Sequence, residues 1–445
     1  MNGNEQKVFS DMSVKSAVFK MAIPSVVSSL VLVIYNMADT FFVGQTNNAF
    51  QVAAVSLTNP IFVLFMAFAN LLGIGGSTAI SIFLGGKNGI EAKRASSFCC
   101  YASLLLGAIS GIIIIIFMDP ILKLLGSSEN TFQFSKDYLF YIALGAPFIF
   151  FTNTFGHTVR GEGGATASMV GGMIGTIVNI VLDPIFILTL NMGAAGAAIA
   201  TVIGNIFGGL YYVYYLKVKS PSLTLSLKEF QILGKAAKRT VTLGIPAGIN
   251  SSLMSFSNII LNNKLVAYGD APVAAMGVII KVYLLIVFIH MGITNGIQPL
   301  LGYCFGAKNK DRFVKIFKFS GALTVIIGTF LTAVYIIFSR EIIEFFISDK
   351  DVIFYGRDML IATAISGPVL GILFLCINSL QAIDKPFLST VISICRQGFI
   401  YIPLLYILDN TLGLTGINFT QAVADYTSII LSILLFKISI NGLKQ

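Results

Sequence analysis

Apolar stretches of about 20 residues, each long enough to cross a lipid bilayer as a helix, recur along almost the whole chain, and that recurrence limits the fold more than any single motif does. Read against the polar breaks between them, they predict twelve helical spans, near 20–43, 52–83, 95–118, 136–158, 166–190, 195–216, 240–267, 272–303, 314–338, 355–380, 387–408 and 414–436. Of the 445 residues, 56% are hydrophobic and 11% charged, a balance outside the range of soluble domains. No segment alternates in the manner of an outer-membrane barrel strand. The expected fold class is therefore an all-α integral membrane protein. The opening fifteen residues are polar and lack an apolar core followed by a small-residue cleavage site, so the first span is expected to be retained.

With both termini placed in the cytoplasm, the inner segments hold 21 of the 29 Lys and Arg residues and the outer loops 6, while Lys281 and Arg396 fall within spans. The positive-inside rule favours that orientation. Tryptophan is absent, which leaves tyrosines such as Tyr211, Tyr212, Tyr214 and Tyr215 as interfacial anchors against membrane lipids. The net charge of +9 is spread among loops with no basic block or aromatic-interleaved patch, so no nucleic-acid partner is expected. The five cysteines and the two histidines, His157 and His290, form no metal-ligand pattern and are expected to be structural. There is no phosphate-binding loop, no H-E-x-x-H and no G-x-S-x-G, so neither an enzyme nor an ATP-driven pump is expected, and no cofactor.

The chain is duplicated. FLGGKNGIEAKR after span 2 resembles CFGAKNKDRFVK after span 8, with Gly85/Gly306, Lys87/Lys308, Asn88/Asn309, Pro147/Pro368 and Ser168/Ser389 at one offset, and Pro24/Pro246, Gly193/Gly413 and Gly196/Gly416 within one residue of it. Six spans per copy bring both halves into the membrane from the same side, related by an axis along the membrane normal. The expected organisation is an N-terminal lobe over 1–216, a cytoplasmic linker over 217–239 and a C-terminal lobe over 240–445. Paired lobes of this kind suit alternating access, whereas a channel would call for a filter sequence or charged ring.

Within span 5 the run NIVLDPIFI carries an acid where one costs about 2.5–3.5 kcal/mol on insertion scales. Asn179 and Asp183 stand four residues apart on one helix face, and Pro184 removes a backbone donor directly behind the acid. In span 1 the run VIYNMADTFFVG sets Tyr35, Asn36 and Asp39 on a common face, and Thr201 in span 6 falls at a comparable depth. Two carboxylates sharing a dry site cannot both ionise cheaply, which makes the group a proton-binding device. The same carboxylates, with Asn and Thr oxygens, also form an all-oxygen shell for Na+. The plainer alternative is that Asp39 caps a helix end and Asp183 only hydrogen-bonds a neighbour. The second half lacks acids at the matching positions and instead offers Lys281, Arg396 and Asp425, read as a buried Arg396–Asp425 or Lys281–Asp425 pair.

IPSVVSSLVLVIYNMADTFFVG, GGKN, RGEGG and NIVLDPIFI in the first half, with GIQPLLGYCFGAKN, QAIDKP and RQGFIYIPLLYIL in the second, resemble the multidrug and toxic compound extrusion (MATE) family in its bacterial multidrug-efflux branch. The resemblance covers residues 10 to 440. It implies two six-helix lobes in a V and export of cationic or amphipathic drugs against inward flow of H+ or Na+; the expected setting is the bacterial cytoplasmic membrane, and the expected state a monomer. Carried over residue by residue, it puts the coupling-ion site on Asp39, Asn179, Asp183 and Thr201, a helix bend at Pro24, and Tyr35 in the substrate cavity. Asn36, Asn153 and Met173 are further cavity candidates. Acids that some sodium-coupled members carry in spans 7 and 10 are missing here, span 7 having Asn250, Asn258, Asn262 and Asn263 instead. A lipid or lipid-linked oligosaccharide flippase of related architecture is the alternative, but it would need a strongly basic cavity, for which only Lys281 and Arg396 are available.

Overall fold

The computed structural model describes residues 7–46 and 48–442, and every regular element among them is helical. The expected spans correspond to α1 (Val14–Gly44), α2 (Ala49–Gly85), α3 (Gly89–Ile116), α4 (Glu129–Thr158), α5 (Ala165–Asp183), α6 (Gly193–Val218), α7 (Lys235–Leu265), α8 (Asp270–Gly306), α9 (Lys310–Ile337), α10 (Lys350–Ala364 with Gly367–Ala382), α11 (Pro386–Ile394 with Tyr401–Leu412) and α12 (Leu414–Asn441). Among the described residues ten spans are individually long and apolar enough to cross a membrane, and α10 makes an eleventh once its two pieces are joined. The remaining one, α7, is more polar, because its middle turns carry Asn250, Ser251, Ser252, Ser255, Asn258, Asn262 and Asn263.

Three spans depart from simple helices. α10 bends by 46° between its pieces, where Gly367 and Pro368 follow Ser366 and the proline withholds a backbone donor. Past Asp183, α5 opens into a π-helical turn over Pro184–Thr189, and α11 does the same over Cys395–Ile400. By contrast, α1 continues through Pro24 from Val14 to Gly44.

Lipid exposure and helix packing divide each surface by period. On α3, Leu105, Ile109, Ile112 and Ile116 form an exposed stripe at helical spacing. Its other face brings Gly107 onto the backbone of Pro147 and Gly111 onto the carbonyl of Ala143 in α4, an approach that only small residues permit. The duplicated GKN and AKN turns have a local explanation. Lys87 and Lys308 both take φ 56°, and Asn88 and Asn309 then cap α3 and α9 by accepting the amides of Glu91 and Arg312.

The chain forms two compact units, one holding residues up to Met12 with Val27–Gly248, the other Ser13–Val26 with Ile249–Gln445. It changes unit inside α1 and inside α7, in each case just past the repeat-related prolines Pro24 and Pro246. In the second unit the start of α1 lies against α8, where a Cβ on Gly292 or Gly296 would meet the backbone of Val26 or Met21. In the first unit the start of α7 lies against α2, with Gly75 on Thr240 and Gly244 on Leu71. Part of the segment between α6 and α7 is held beneath α3. Ser96, Ser97 and Tyr101 donate to the carbonyls of Thr224, Ser226 and Leu225, and Phe230 stacks on Phe98.

Candidate cation-coupling site

α5 and α6 meet through glycines. A Cβ on Gly204 would stand 2.5 Å from the carbonyl of Gly175, and one on Gly208 would stand 3.0 Å from that of Gly171. This small-residue seam brings the two backbones together and leaves the polar residues of the next turns buried beside it. Asn179 and Asp183 are fully buried on α5, and the Asn179 amide donates to Asp183 Oδ1 at 3.3 Å. Behind Asp183, Pro184 has no N–H to give, and the chain widens into its π turn there.

From α6, buried Thr201 meets the phenol of Tyr35 in α1 at 3.0 Å. One turn along α1, Asp39 lies within electrostatic reach of Asp183, and both acids act on Tyr35. The structure thus gathers Tyr35, Asp39, Asn179, Asp183 and Thr201 within the first unit.

The cluster is short of donors. Asp39 Oδ1, Asn179 Oδ1 and Asp183 Oδ2 are buried without a hydrogen-bond partner, and an acceptor stranded in this way costs about 1–3 kcal/mol. All three are oxygens seeking positive charge or a proton. A bound H+ answers them, and so does a small hard cation favouring an all-oxygen shell. Among the described residues no group of three or more His, Cys, Asp and Glu comes together, so two carboxylates supply the charge.

Of the other expected residues, the side chain of Asn36 lies outside what the structure describes. Asn153 donates back to the Ile149 carbonyl of its own helix. Met173 is partly buried on α5 ten residues before Asp183, about 15 Å along the axis. Sequence reasoning missed Tyr138, a buried α4 phenol within electrostatic reach of both acids. Its position early in span 4, at the same end as Asp39 in span 1, was the available signal.

In the second unit Arg396 Nε contacts Asp425 Oδ1 at 2.7 Å with both side chains buried, while Lys281 is exposed. Of the two pairings open to Asp425, the structure forms the one with Arg396. The histidines are hydrogen-bonded inside their units. His157 Nδ1 lies 2.9 Å from Arg160 Nη2, and both ring nitrogens of His290 lie within reach of backbone carbonyls, those of Ile286 and Thr324.

The MatE family model matches residues 24–185 and, a second time, 246–407, so the internal repeat is also a repeat of the family's own unit. The multidrug export protein MepA of Staphylococcus haemolyticus is 32% identical over 417 residues, which cover 94% of this chain and 92% of that protein. MepA of Staphylococcus aureus strain N315 is 31% identical over 418 residues, 92% of each chain. Among solved structures, an outward-facing multidrug resistance MATE transporter of the MOP superfamily superposes with a TM-score of 0.94 at 24% identity, covering 99% of both chains. The bent form of the Vibrio cholerae MATE transporter VcmN gives 0.90 at 21% identity over 96% of this chain and 97% of that one. At these identities the structures speak for the fold alone, which is the twelve-span architecture described above.

Proposed function

The chain belongs to the MATE family, and from that premise we propose that it is a secondary active multidrug exporter that exchanges cationic or amphipathic small molecules for H+ or Na+. It is a transporter rather than an enzyme, set in the bacterial cytoplasmic membrane with both termini inside. One observation carries the coupling part of the reading. Asp39, Asn179 and Asp183 each hold a buried oxygen that lacks a donor, in a unit where α1 is tied to α6 through Tyr35 and Thr201.

The proposed cycle follows from charge. With both acids ionised the pair is repulsive and poorly solvated, and an ion arriving from outside relieves that repulsion. Because Asp39 sits one turn from Tyr35 on α1, its charge state bears on how α1 rests against α6. Neutralisation favours the arrangement that releases drug outward, and loss of the ion to the cytoplasm restores drug affinity. Linkage makes the effect reciprocal, so bound drug must weaken ion binding by the same factor.

The test is drug efflux from proteoliposomes under separately imposed H+ and Na+ gradients, comparing wild type with Asp183→Asn. The expected result is efflux driven by one gradient in wild type and by neither in the variant, with drug binding and monodispersity retained. Undiminished gradient-driven efflux in the variant would overturn the assignment.

A further inference from the structure

The segment that joins α6 to α7 forms a strap with two unlike faces. On the inner one Leu223 is buried, Phe230 stacks on Phe98 with ring centres 6.3 Å apart, and the Ser220 hydroxyl donates to Glu162 Oε2 at 2.8 Å. Together with the bonds from Ser96, Ser97 and Tyr101, these contacts hold the strap in place. On the outer face Leu227, Ile232 and Leu233 are 64%, 61% and 98% exposed. Three bare, large apolar side chains within seven residues are a patch, where a connection facing water would be polar.

Charge accompanies the apolarity. Lys228, Lys235 and Lys238 are interspersed with those three residues and are all exposed. The one acid between Val218 and Arg239 is Glu229, and it lies 3.7 Å from Arg94 Nε. The exposed side of the strap is therefore apolar and cationic, with its single carboxylate drawn toward α3. That combination suits an anionic bilayer surface, where lysine stems lie over the hydrocarbon boundary and their ammonium groups sit among phosphates.

The depth of the strap fits the same partner. Tyr101 holds the Leu225 carbonyl one turn before Leu105, where the exposed apolar stripe of α3 begins. Four residues of helix are about 6 Å, so the strap runs along the edge of the lipid-facing surface and continues it. At the start of the strap, Tyr214 is 48% exposed and Lys219 Nζ lies 5.7 Å from its ring centre, an aromatic and cationic pair suited to headgroup level.

We propose that the outer face of the strap is an interfacial anchor, with Leu227, Ile232 and Leu233 seated at the acyl boundary of the adjoining leaflet and Lys228, Lys235 and Lys238 on the phosphates of anionic lipids. In the orientation proposed for the chain, that leaflet is the cytoplasmic one. Anionic phospholipid is thus a partner that the export chemistry does not call for. Its contact is made directly ahead of α7, whose first turn starts at Lys235.

The chain has no tryptophan, so Leu233→Trp places a single indole at the tip of the strap, where the exposure of the native side chain leaves room for it. The full chain is reconstituted at one copy per nanodisc in phosphatidylcholine, with or without phosphatidylglycerol, each doped equally with chain-brominated phosphatidylcholine. Leu105→Trp is the lipid-facing control. In discs with phosphatidylglycerol the indole is expected to emit to the blue, to resist aqueous acrylamide, and to be quenched by the brominated chains about as fully as the control. Each lysine near an anionic surface favours the bound state about fivefold. Quenching should therefore fall in phosphatidylcholine alone, and fall likewise when Lys228→Gln/Lys235→Gln/Lys238→Gln is added. Red emission with free access to acrylamide would overturn the proposal, since the strap then faces water. So would blue emission without quenching by brominated lipid, because the tip then lies against protein. Equal quenching in the two lipid mixtures, or quenching undiminished by the three lysine substitutions, would overturn it by removing the anionic headgroup as the partner. No drug or ion gradient is involved, so either result leaves the export reading as it stands.

Discussion

The Tyr35 hydroxyl meets Thr201 Oγ1 at 3.0 Å across 166 residues of sequence, joining α1 to α6 one turn from Asp39. If that bond transmits the charge state of the acids, Tyr35→Phe and Thr201→Val should each reduce ion-coupled efflux by roughly two- to tenfold, the range that a net 0.5–1.5 kcal/mol represents. The double variant should be no worse than either single one, because both remove the same bond. A double-mutant cycle on efflux rate measures this, and additive losses would dissociate the bond from coupling.

The glycine seam behind the acids yields a structural prediction. A Cβ on Gly204 would stand 2.5 Å from the Gly175 carbonyl and 3.1 Å from Asn179 Cβ. Gly204→Val must therefore push α5 away from α6 and displace Asn179 and Asp183 together. A cost of about 1–3 kcal/mol is expected, seen as a lower unfolding temperature in detergent and a larger loss of coupled efflux than of drug binding. Gly172→Ala, with open space around the added carbon, is the control and should change neither.

The segment joining α6 and α7 gives a third. Ser97 and Tyr101 each hold a backbone carbonyl of the strap at 2.8 Å. Lys228, exposed within the strap, is a tryptic site. Removing both donors with Ser97→Ala/Tyr101→Phe should raise the rate of tryptic cleavage at Lys228 several-fold while the helices stay intact, since proteolysis follows local opening. Peptide mapping over a time course reads this directly, and an unchanged rate would mean that the Ser96–Thr224 bonds and the Phe98–Phe230 stack hold the strap without these two donors.

What could be read in advance follows from what periodicity encodes. The spans were legible because hydrocarbon thickness sets a length and apolarity sets a boundary. Asn179–Asp183 was legible because four residues is one helical turn, and Thr201 because its depth matched. The π turns were not, since Pro184 announces a break without saying that the helix widens, and Cys395–Ile400 contains no proline at all. The strap under α3 was hidden for a different reason: its acceptors are backbone carbonyls, which every residue has. Asp425 had two possible cationic partners in sequence, and only packing could place Lys281 at the surface and Arg396 in the interior.

That last pair carries the final prediction. Arg396 and Asp425 are 5% and 0% exposed by side chain and meet at 2.7 Å, so the energy of either is defined by the presence of the other. Asp425→Leu strands a buried guanidinium and Arg396→Met strands a buried carboxylate, and each should cost about 3–5 kcal/mol. Replacing both at once removes two desolvation penalties along with the attraction, so Arg396→Met/Asp425→Leu should recover most of that loss. Thermal unfolding of the four proteins in one detergent measures the coupling. A double variant as unstable as the singles would show that Gln421 and Tyr283, which also bond Asp425, need the carboxylate in their own right.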